Sequence, residues 1–434
     1  MERASARGDQ TRLLQLLNAA RPVDEKGRYL HWDDFRRRPA SSEWSIEEAW
    51  LATRTARLAA AQRLPLVDAA GQPFTFCEPP ELREHLRHAD LHAGGFLATD
   101  GVTLTPADGR RHFTRSLAEE PFASSFIEGA ATTRQRAKQL IFDKRRPRTR
   151  DELMVLNNYR GMEHIKDIAA QPLSIEAILE THRIITQDTM DNKQDSGRLR
   201  TSDEVRVVDD IDGAILHQPP PFHDLRTRLQ AVCDFANAPD EPAHFIHPVA
   251  RAIILHFMIG YDHPFVDGNG RTARALFYWS MLKSGYWLTE YVSISSVIAE
   301  AKVAYGSAYL KTETDGGDLT YFLLHQANVL KVAIDRLFEY AETQKRKLTK
   351  FQHEVLDETG AFNDRQAALL QDAVLQRIRQ TTIKEHETRY GVSRLTARSD
   401  LEELVRLKLF KKRKKGRQNF YIPERNIDER IAAR

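Results

Sequence analysis

Cysteine is almost absent from this chain: Cys77 and Cys233 are the two in 434 residues. So few thiols exclude a disulfide framework and a cysteine-ligated zinc site, and they suit a reducing compartment, by default the cytoplasm. Long apolar runs are lacking too. No stretch of about 18 apolar residues occurs, so no transmembrane helix is expected. The opening MERASARGDQTRLLQLL is too charged to read as a secretory leader. Charge of one sign is scarce: 64 Lys and Arg against 61 Asp and Glu leave +3. A basic footprint for nucleic acid must therefore be local. Internal repeats and low-complexity tracts are missing as well. A 41% hydrophobic and 29% charged composition is that of an ordinary folded protein, which excludes disorder or a fibre as the main state. At roughly 150 residues per domain, the length predicts about three domains.

What is present is mainly helical pattern. An aromatic opening (Tyr29 to Phe35) and a helix over about 45–63 lead into turn-rich segments, LVDAAGQPF and ATDGVTLTPADGR. Helical periodicity from Arg110 stops at Gly129, a favoured residue just past a helix end. Helices are predicted over 132–143, 151–169 and 174–187, the last with Ser174 as N-cap. Between Gly197 and Pro221 the period changes. β-Branched residues, the Asp212–Gly213 turn signal and a triple proline predict a β-hairpin at about 203–217. ARAIILHFMIGY (250–261) is apolar on nearly every face, the mark of a buried helix. ARALFYWSMLKSG (273–285) is a second helix, and another runs from about 319 to 347. Beyond it come helices at 364–378, 382–389 and 394–407, with Gly391 between the last two, and a basic hairpin, LFKKRKKGRQNFYI.

The loop joining the two helices around 250–285 concentrates chemistry: His263-Pro264-Phe265-Val266-Asp267-Gly268-Asn269-Gly270-Arg271-Thr272-Ala273-Arg274. Gly268 and Gly270 permit positive φ and close backbone approach. The N–H groups of the turn, at a helix start, form an anion site. Arg271 and Arg274 are spaced i, i+3 and project from one side of the first turn, which suits a polyphosphate. Asp267 is a hard oxygen ligand of the kind Mg²⁺ accepts beside phosphates. His263 titrates near neutrality and can take a proton from a hydroxyl. Taken singly, a Gly-Asn-Gly is a turn, a helix-end histidine a cap and an i, i+3 arginine pair a solvated face. Their combination in twelve residues points to phosphoryl or nucleotidyl transfer. The Walker pattern GxxxxGK[ST] is absent, which excludes an ordinary P-loop. A rival metal site would use His244, His247, His256 and His263, but HExxH or similar ligand spacing is lacking, and His256 reads as a satisfied core histidine.

The loop resembles the Fic-domain signature HPFx[DE]GNGRxxR at every specified position. ELMVLNNYRGMEHI, GRLRTSDEVRV…HQPPP, HPVARAIILHF and GDLTYFLLH are similar to that domain's usual surroundings, so the resemblance covers roughly residues 110–330. It implies a mainly α fold, a Fic-type helical core with a β-hairpin flap. It also implies transfer of AMP from ATP, with Mg²⁺, to a Tyr, Ser or Thr hydroxyl of a target protein or of the chain itself. His263 would be the general base and Asp267 the Mg²⁺ ligand. Gly268, Asn269, Gly270 and Thr272 would belong to the nucleotide site, with Arg271 on the inner phosphates and Arg274 on the γ-phosphate. Phe265 would be a core anchor, and Tyr305 either lines the adenine pocket or belongs to the core. The target would add a strand to the flap near 203–217.

Ser124-Ser125-Phe126-Ile127-Glu128-Gly129 resembles the family's inhibitory motif [ST]xxxE[GN]. Ser124 and Glu128 are i, i+4 and share a helix face. A carboxylate at a helix C-terminus is disfavoured by the dipole and needs a cation; the resemblance names Arg274. The motif's place before the core resembles the subgroup with an N-terminal inhibitory helix. The division expected is 1–109, an N-terminal helical region; 110–345, a Fic domain with an inhibitory helix near 111–129; and 346–434, which resembles a winged helix-turn-helix. In that last part Arg394 and Arg398, with Ser393 and Thr396, would lie near base edges. Lys411, Lys412, Arg413, Lys414 and Lys415 would meet phosphates. Winged helices in multidomain enzymes also serve as docking or dimer modules, which is the competing expectation for this part. Two alternatives to the transferase stay open: a DNA-binding transcriptional regulator whose Fic domain only senses nucleotide, and an enzyme chiefly removing AMP. Family behaviour adds an expected homodimer.

Overall fold

The computed structural model describes residues 15–18, 20–38, 44–94, 97–99, 102–104, 114–208, 213–352, 362–374, 378, 380–415 and 418–432. Two compact units divide it, 1–335 and 336–434. Among the described residues no helix is long and apolar enough to cross a membrane.

The first unit opens with a one-turn helix α1 (Trp32–Phe35) and α2 (Ile46–Ala60). The latter starts at a capping box, in which Ser45 and Glu48 satisfy each other's backbone N–H groups. An antiparallel hairpin of β1 (Gln62–Val67) and β2 (Pro73–Phe76) follows where only turns were expected. Pro65 inside β1 hides the strand pattern, because proline is tolerated only on an edge or at a bulge. The turn itself is held by Asp68, whose Oδ1 accepts the N–H groups of Ala70 and Gln72 at 2.8 Å each. Next come α3 (Pro80–Ala93) and a short ribbon of β3 (Leu97–Thr99) and β4 (Val102–Leu104).

The described part of the helix expected from Arg110 is in two pieces. A 3₁₀ turn occupies Thr114–Ala118, and the α-helix proper, α4, is Glu119–Ile127. Pro121 fits that start, since proline is tolerated in a first turn whose N–H groups have no partner. Residues 110–113 lie outside the described residues. Glu120 ties α4 down: its buried carboxylate accepts the Ser293 Oγ at 2.9 Å, the Ser295 N–H at 3.0 Å and the Ser295 Oγ at 2.5 Å.

Then follow α5 (Arg134–Ile141), α6 (Arg150–Asp167) and α7 (Ile175–Thr186), the last capped by Ser174 as expected. The expected hairpin is present as β5 (Val207–Val208) and β6 (Ile215–His217), antiparallel with a register irregularity; its turn residue Asp212 falls outside the described residues. α8 (Leu225–Asn237) leads to the central pair, α9 (Pro248–Asp262) and α10 (Asn269–Lys283), which pack against each other. Both are buried along almost their whole length, α9 because it is apolar on nearly every face and α10 through Leu276, Phe277, Tyr278, Trp279 and Met281. α11 (Ile294–Glu300), α12 (Lys302–Thr314) and α13 (Thr320–Gln352) complete the sequence.

In the second unit, α14 (Asp364–Val374), α15 (Ile383–Tyr390) and α16 (Arg394–Arg406) surround a core of Leu369, Leu370, Leu401, Leu404, Leu409, Phe410 and Tyr421. Gly391 ends α15 with φ 62°, and Ser393 caps α16, so the two helices are joined by a three-residue turn, 391–393. β7 (Phe410–Lys415) and β8 (Gln418–Pro423) form a regular antiparallel hairpin, followed by α17 (Ile427–Ala432).

Candidate nucleotide site

The chemistry-bearing loop leaves α9 at His263 and enters α10 at Asn269. His263 is the C-cap of α9 in the left-handed region, φ 44° and ψ 57°. A non-glycine residue there costs roughly 1–3 kcal/mol and persists only where neighbours fix it. The His263 Nδ1–H donates to the Gly260 carbonyl at 2.6 Å. Nε2 is therefore the nitrogen left with a lone pair in the neutral ring. Burial lowers the proton affinity of His263 below the ordinary imidazole value, against the pull of the Gly260 carbonyl. Gly260 itself must be glycine, since a Cβ there would collide with the Tyr309 hydroxyl.

Pro264 carries the chain to Phe265, which is fully buried and stacked face to face on His182, centroids 3.7 Å apart. Asn269 brackets Phe265: its Oδ1 accepts the Phe265 N–H at 2.9 Å and its Nδ2 donates to the Phe265 carbonyl at 2.8 Å. The Asn269 side chain thus shapes the loop, and its backbone is what remains for a ligand. Gly268 is the N-cap of α10 at φ 83°, and a Cβ there would lie 2.7 Å from Thr186 Cγ2. No side chain caps α10, so its first-turn N–H groups have none of the side-chain partners that cap other helices.

The two arginines diverge. Arg271 Nη2 donates to Asp267 Oδ2 at 3.0 Å, while its Nε and Nη1 are buried without a hydrogen-bond partner, as is the Thr272 hydroxyl. Arg274 is fully engaged with Ser124 and Glu128. Its Nε donates to Ser124 Oγ at 2.9 Å, and its Nη2 donates to the Ser124 carbonyl at 3.1 Å and to Glu128 Oε1 at 2.7 Å. Glu128 is the C-cap of α4, and its carboxylate lies against Gly270, where any Cβ would strike Oε1. The structure thus brings Ser124, Glu128, Gly270 and Arg274 together at the start of α10. Tyr305 donates or accepts with His256 Nε2 at 2.9 Å and stands beside Tyr309; His256 Nδ1 is buried without a partner. His244 is exposed, and His247 caps α9 while bonding Asp90 at 3.1 Å. Among the described residues no set of His, Cys, Asp and Glu is gathered closely enough to hold a metal by protein ligands alone.

Several residues that sequence reasoning passed over support this loop. His182 accepts the Gly197 N–H on Nδ1 at 3.0 Å and donates from Nε2 to the Asp267 carbonyl at 2.8 Å; burial pushes its pKa down to about 4. Asp262, buried beside His263, is held by Arg228 at 2.8 Å, and burial raises its pKa to about 6. Arg228 also donates to the Val67 and Asp68 carbonyls at 2.7 and 3.1 Å, which ties the β1–β2 turn to the end of α9. His217, at the end of β6, bonds the Tyr261 carbonyl at 2.7 Å and Glu313 at 2.8 Å. Arg200 bonds the His263 carbonyl at 3.0 Å. Their partners are tens of residues away, so no local pattern marks them.

With this geometry in view, residues 172–281 match the model of the Fic/DOC family. The chain carries a Fic domain. Protein adenylyltransferase Fic of Nematostella vectensis is 32% identical over 117 residues, 27% of this chain and 25% of that protein. Protein adenylyltransferase fic-1 of Caenorhabditis elegans is 36% identical over 114 residues, 26% and 20% of the two chains. The chain thus spans a quarter or less of the length of these curated relatives. A Fic family protein from Desulfovibrio desulfuricans G20 superposes with a TM-score of 0.51 at 19% identity, over 80% of this chain and 97% of that one, which shows the likeness of fold. The Fic domain as matched holds His263 to Arg274 and all of α7 to α9, while Ser124 and Glu128 lie before it.

Proposed function

We propose that this chain is a protein adenylyltransferase, moving AMP from ATP to a hydroxyl of a target protein or of itself. One observation carries the reading: a histidine with its Nε2 lone pair free ends α9, and the loop it opens leads into an uncapped helix start that carries a buried arginine with two unpartnered nitrogens. Those orphan donors suit an acceptor-rich group such as a phosphate. In the reaction, His263 Nε2 takes the proton of the attacking hydroxyl and the hydroxyl oxygen bonds the α-phosphorus. The bond to the bridging oxygen then breaks and pyrophosphate leaves. Arg271 and the first-turn N–H groups of α10 counter the charge on the phosphates. Asp267, a half-exposed carboxylate next to Arg271, suits Mg²⁺ as a hard oxygen donor, and the metal would neutralise phosphate charge. Tyr305, on α12 and bonded to His256, would line the adenine pocket. The target would pair with the flap at Val207–Val208 or Ile215–His217 and present its hydroxyl to His263.

Glu128 makes this enzyme self-restraining. It occupies Arg274, the cation assigned to the γ-phosphate, and its carboxylate stands where phosphate charge would come. The test is incubation of the protein and a cell extract with ATP labelled at the α or the γ position. Label on protein from the α position alone is the expected result. Label from γ alone means a kinase, and label from neither favours the nucleotide-sensing regulator. Release of AMP from a pre-labelled target, lost in Glu128→Gly, would make removal the main activity.

The second unit, we propose, is a winged helix-turn-helix that binds duplex DNA. Support comes from α16, which follows a three-residue turn and exposes Arg394 and Arg398, and from the basic strand β7. Arg413 and Lys414 on β7 are exposed, whereas Lys411 pairs with Glu424 at 3.6 Å and Lys412 with Glu402.

A further inference from the structure

We infer that Arg200 is a positioning residue for AMP transfer, fastening both roots of the flap to the backbone of His263 so that the base is in line only while the flap is in place. The inference rests on the adenylyltransferase reading of the site.

Arg200 is 3% exposed, yet its one carboxylate partner, Asp203, has a side chain 46% exposed, so charge pairing alone does not account for burying this cation. The bonds it makes are mostly to backbone. Nε donates to the His263 carbonyl at 3.0 Å, Nη1 to the Ser202 carbonyl at 2.9 Å and to Asp203 Oδ1 at 2.7 Å, and Nη2 to the Pro220 carbonyl. Its own N–H donates to the Pro264 carbonyl at 2.9 Å. Ser202 and Asp203 lead into the flap and Pro220 leads out of it. Asp203 Oδ1 also accepts the Phe222 N–H at 2.7 Å, which draws the exit of the flap into the same network. A rigid fork of donors can serve three backbone segments at once; a lysine ammonium cannot hold that arrangement.

The consequence falls on His263. Its left-handed backbone needs fixing from outside. Two of its bonds, the N–H to the Ile259 carbonyl at 3.1 Å and Nδ1 to the Gly260 carbonyl at 2.6 Å, lie within the last turn of α9. The Arg200 bond to the His263 carbonyl comes from the flap side. Without it the residue is free to leave φ 44°, and the imidazole swings with it. The Arg200 charge also bears on the ring: burial is the main cause of the lowered proton affinity of His263, the Gly260 carbonyl and Glu128 oppose it, and the nearby His217 and Arg200 lower it further.

The test uses the full chain with Glu128→Gly as parent. Arg200→Lys keeps the charge and loses the fork; Arg200→Gln loses both. Asp203→Asn, at a half-exposed carboxylate, weakens the flap side of the network, its bonds to Arg200 Nη1 and to the Phe222 N–H, while the guanidinium and its bond to the His263 carbonyl stay in place. Readouts are kcat and KM for AMP transfer, the ATP dissociation constant by calorimetry, the melting temperature, the kcat–pH profile and the NMR titration of the His263 ring. Arg200→Lys should lower kcat about 10²-fold, the scale of a misplaced reacting group, with ATP affinity unchanged and the acid limb of the profile in place. Arg200→Gln should also move that limb and the NMR titration to higher pH, because a nearby cation disfavours imidazolium. Asp203→Asn should lower kcat less, again with ATP affinity unchanged. An unchanged kcat in Arg200→Lys overturns the inference. So does a fall in ATP affinity and melting temperature in step with kcat, which is what a purely structural arginine gives. If the parent itself transfers no AMP, the functional reading fails; the NMR titration then judges Arg200 alone, and an unmoved His263 in Arg200→Gln overturns its coupling to the base.

Discussion

Arg271 and Arg274 in the Fic loop have side chains 1% exposed, whereas Arg413 and Lys414 in the C-terminal hairpin stand in solvent. Both regions look alike as strings, dense in cations with a glycine close by. They differ in what surrounds the charge. In the loop each guanidinium is clamped by a carboxylate, Asp267 or Glu128, and desolvated, so its interactions are strong and its direction is fixed. On the hairpin the ion pairs of Lys411 and Lys412 are half-exposed, screened by salt, and worth about 0–1 kcal/mol each. Buried charge of this kind discriminates one ligand pose from another. Exposed charge of the other kind attracts any polyanion and does so as a function of ionic strength.

The largest effect expected on the loop side is that of His263→Ala. It should lower AMP transfer by about 10²–10⁴-fold while leaving ATP binding intact, because the imidazole meets the proton and not the phosphates. Transfer retained above a tenth of wild type would remove the base from the account. The same residue sets a pH signature. Its folded pKa is lowered, so the neutral, active form already prevails at neutral pH, and activity should be lost only as pH falls through a value below the ordinary 6.5. A rate still climbing above pH 7 would point to another base.

Gly268→Ala comes next. A Cβ at φ 83° against Thr186 should destabilise the protein by roughly 1–3 kcal/mol and weaken ATP binding, read from the denaturation midpoint and calorimetry. Tolerance of alanine there would mean that the helix start is less crowded than its geometry shows. The smallest single effects belong to the hairpin. Duplex DNA affinity of the full chain should fall with salt at a slope of about −0.9 per neutralised phosphate. Replacing Lys411, Lys412, Arg413, Lys414 and Lys415 by Ala should flatten it. Lys412→Ala alone should do little, since Glu402 already holds that ammonium. No binding at low salt would favour a docking role for this unit.

The same contrast explains what the sequence disclosed. His263 to Arg274 are contiguous, so their chemistry is legible in one string, as are the periodic helices α6, α7 and α9. Arg200, His182 and Arg228 act through carbonyls and rings far along the chain, and a lone arginine or histidine in a helical stretch carries no sign of that. The β1–β2 hairpin was hidden by Pro65 and by a turn that looks like any loop. The 3₁₀ turn at Thr114–Ala118 ahead of α4 was hidden, because a first turn containing Pro121 reads, by periodicity alone, as the middle of a helix. Glu128 was visible as one of a spaced pair, but its contact with Gly270, which gives the pair its meaning, exists only in three dimensions.

The central claim is that Glu128 withholds Arg274 from the nucleotide. At an effective dielectric near 20, a unit charge pair about 4 Å apart is worth on the order of 4 kcal/mol before desolvation, and even a third of that is about tenfold in rate. The direct measurement is the initial rate of α-labelled AMP transfer for wild type, Glu128→Gly and Glu128→Gly with Arg274→Ala, run side by side. The account predicts a gain of at least about tenfold in the single variant and its loss in the double. An unchanged rate in Glu128→Gly, with AMP release unchanged as well, would contradict it and leave Glu128 a helix-end carboxylate that happens to meet a cation.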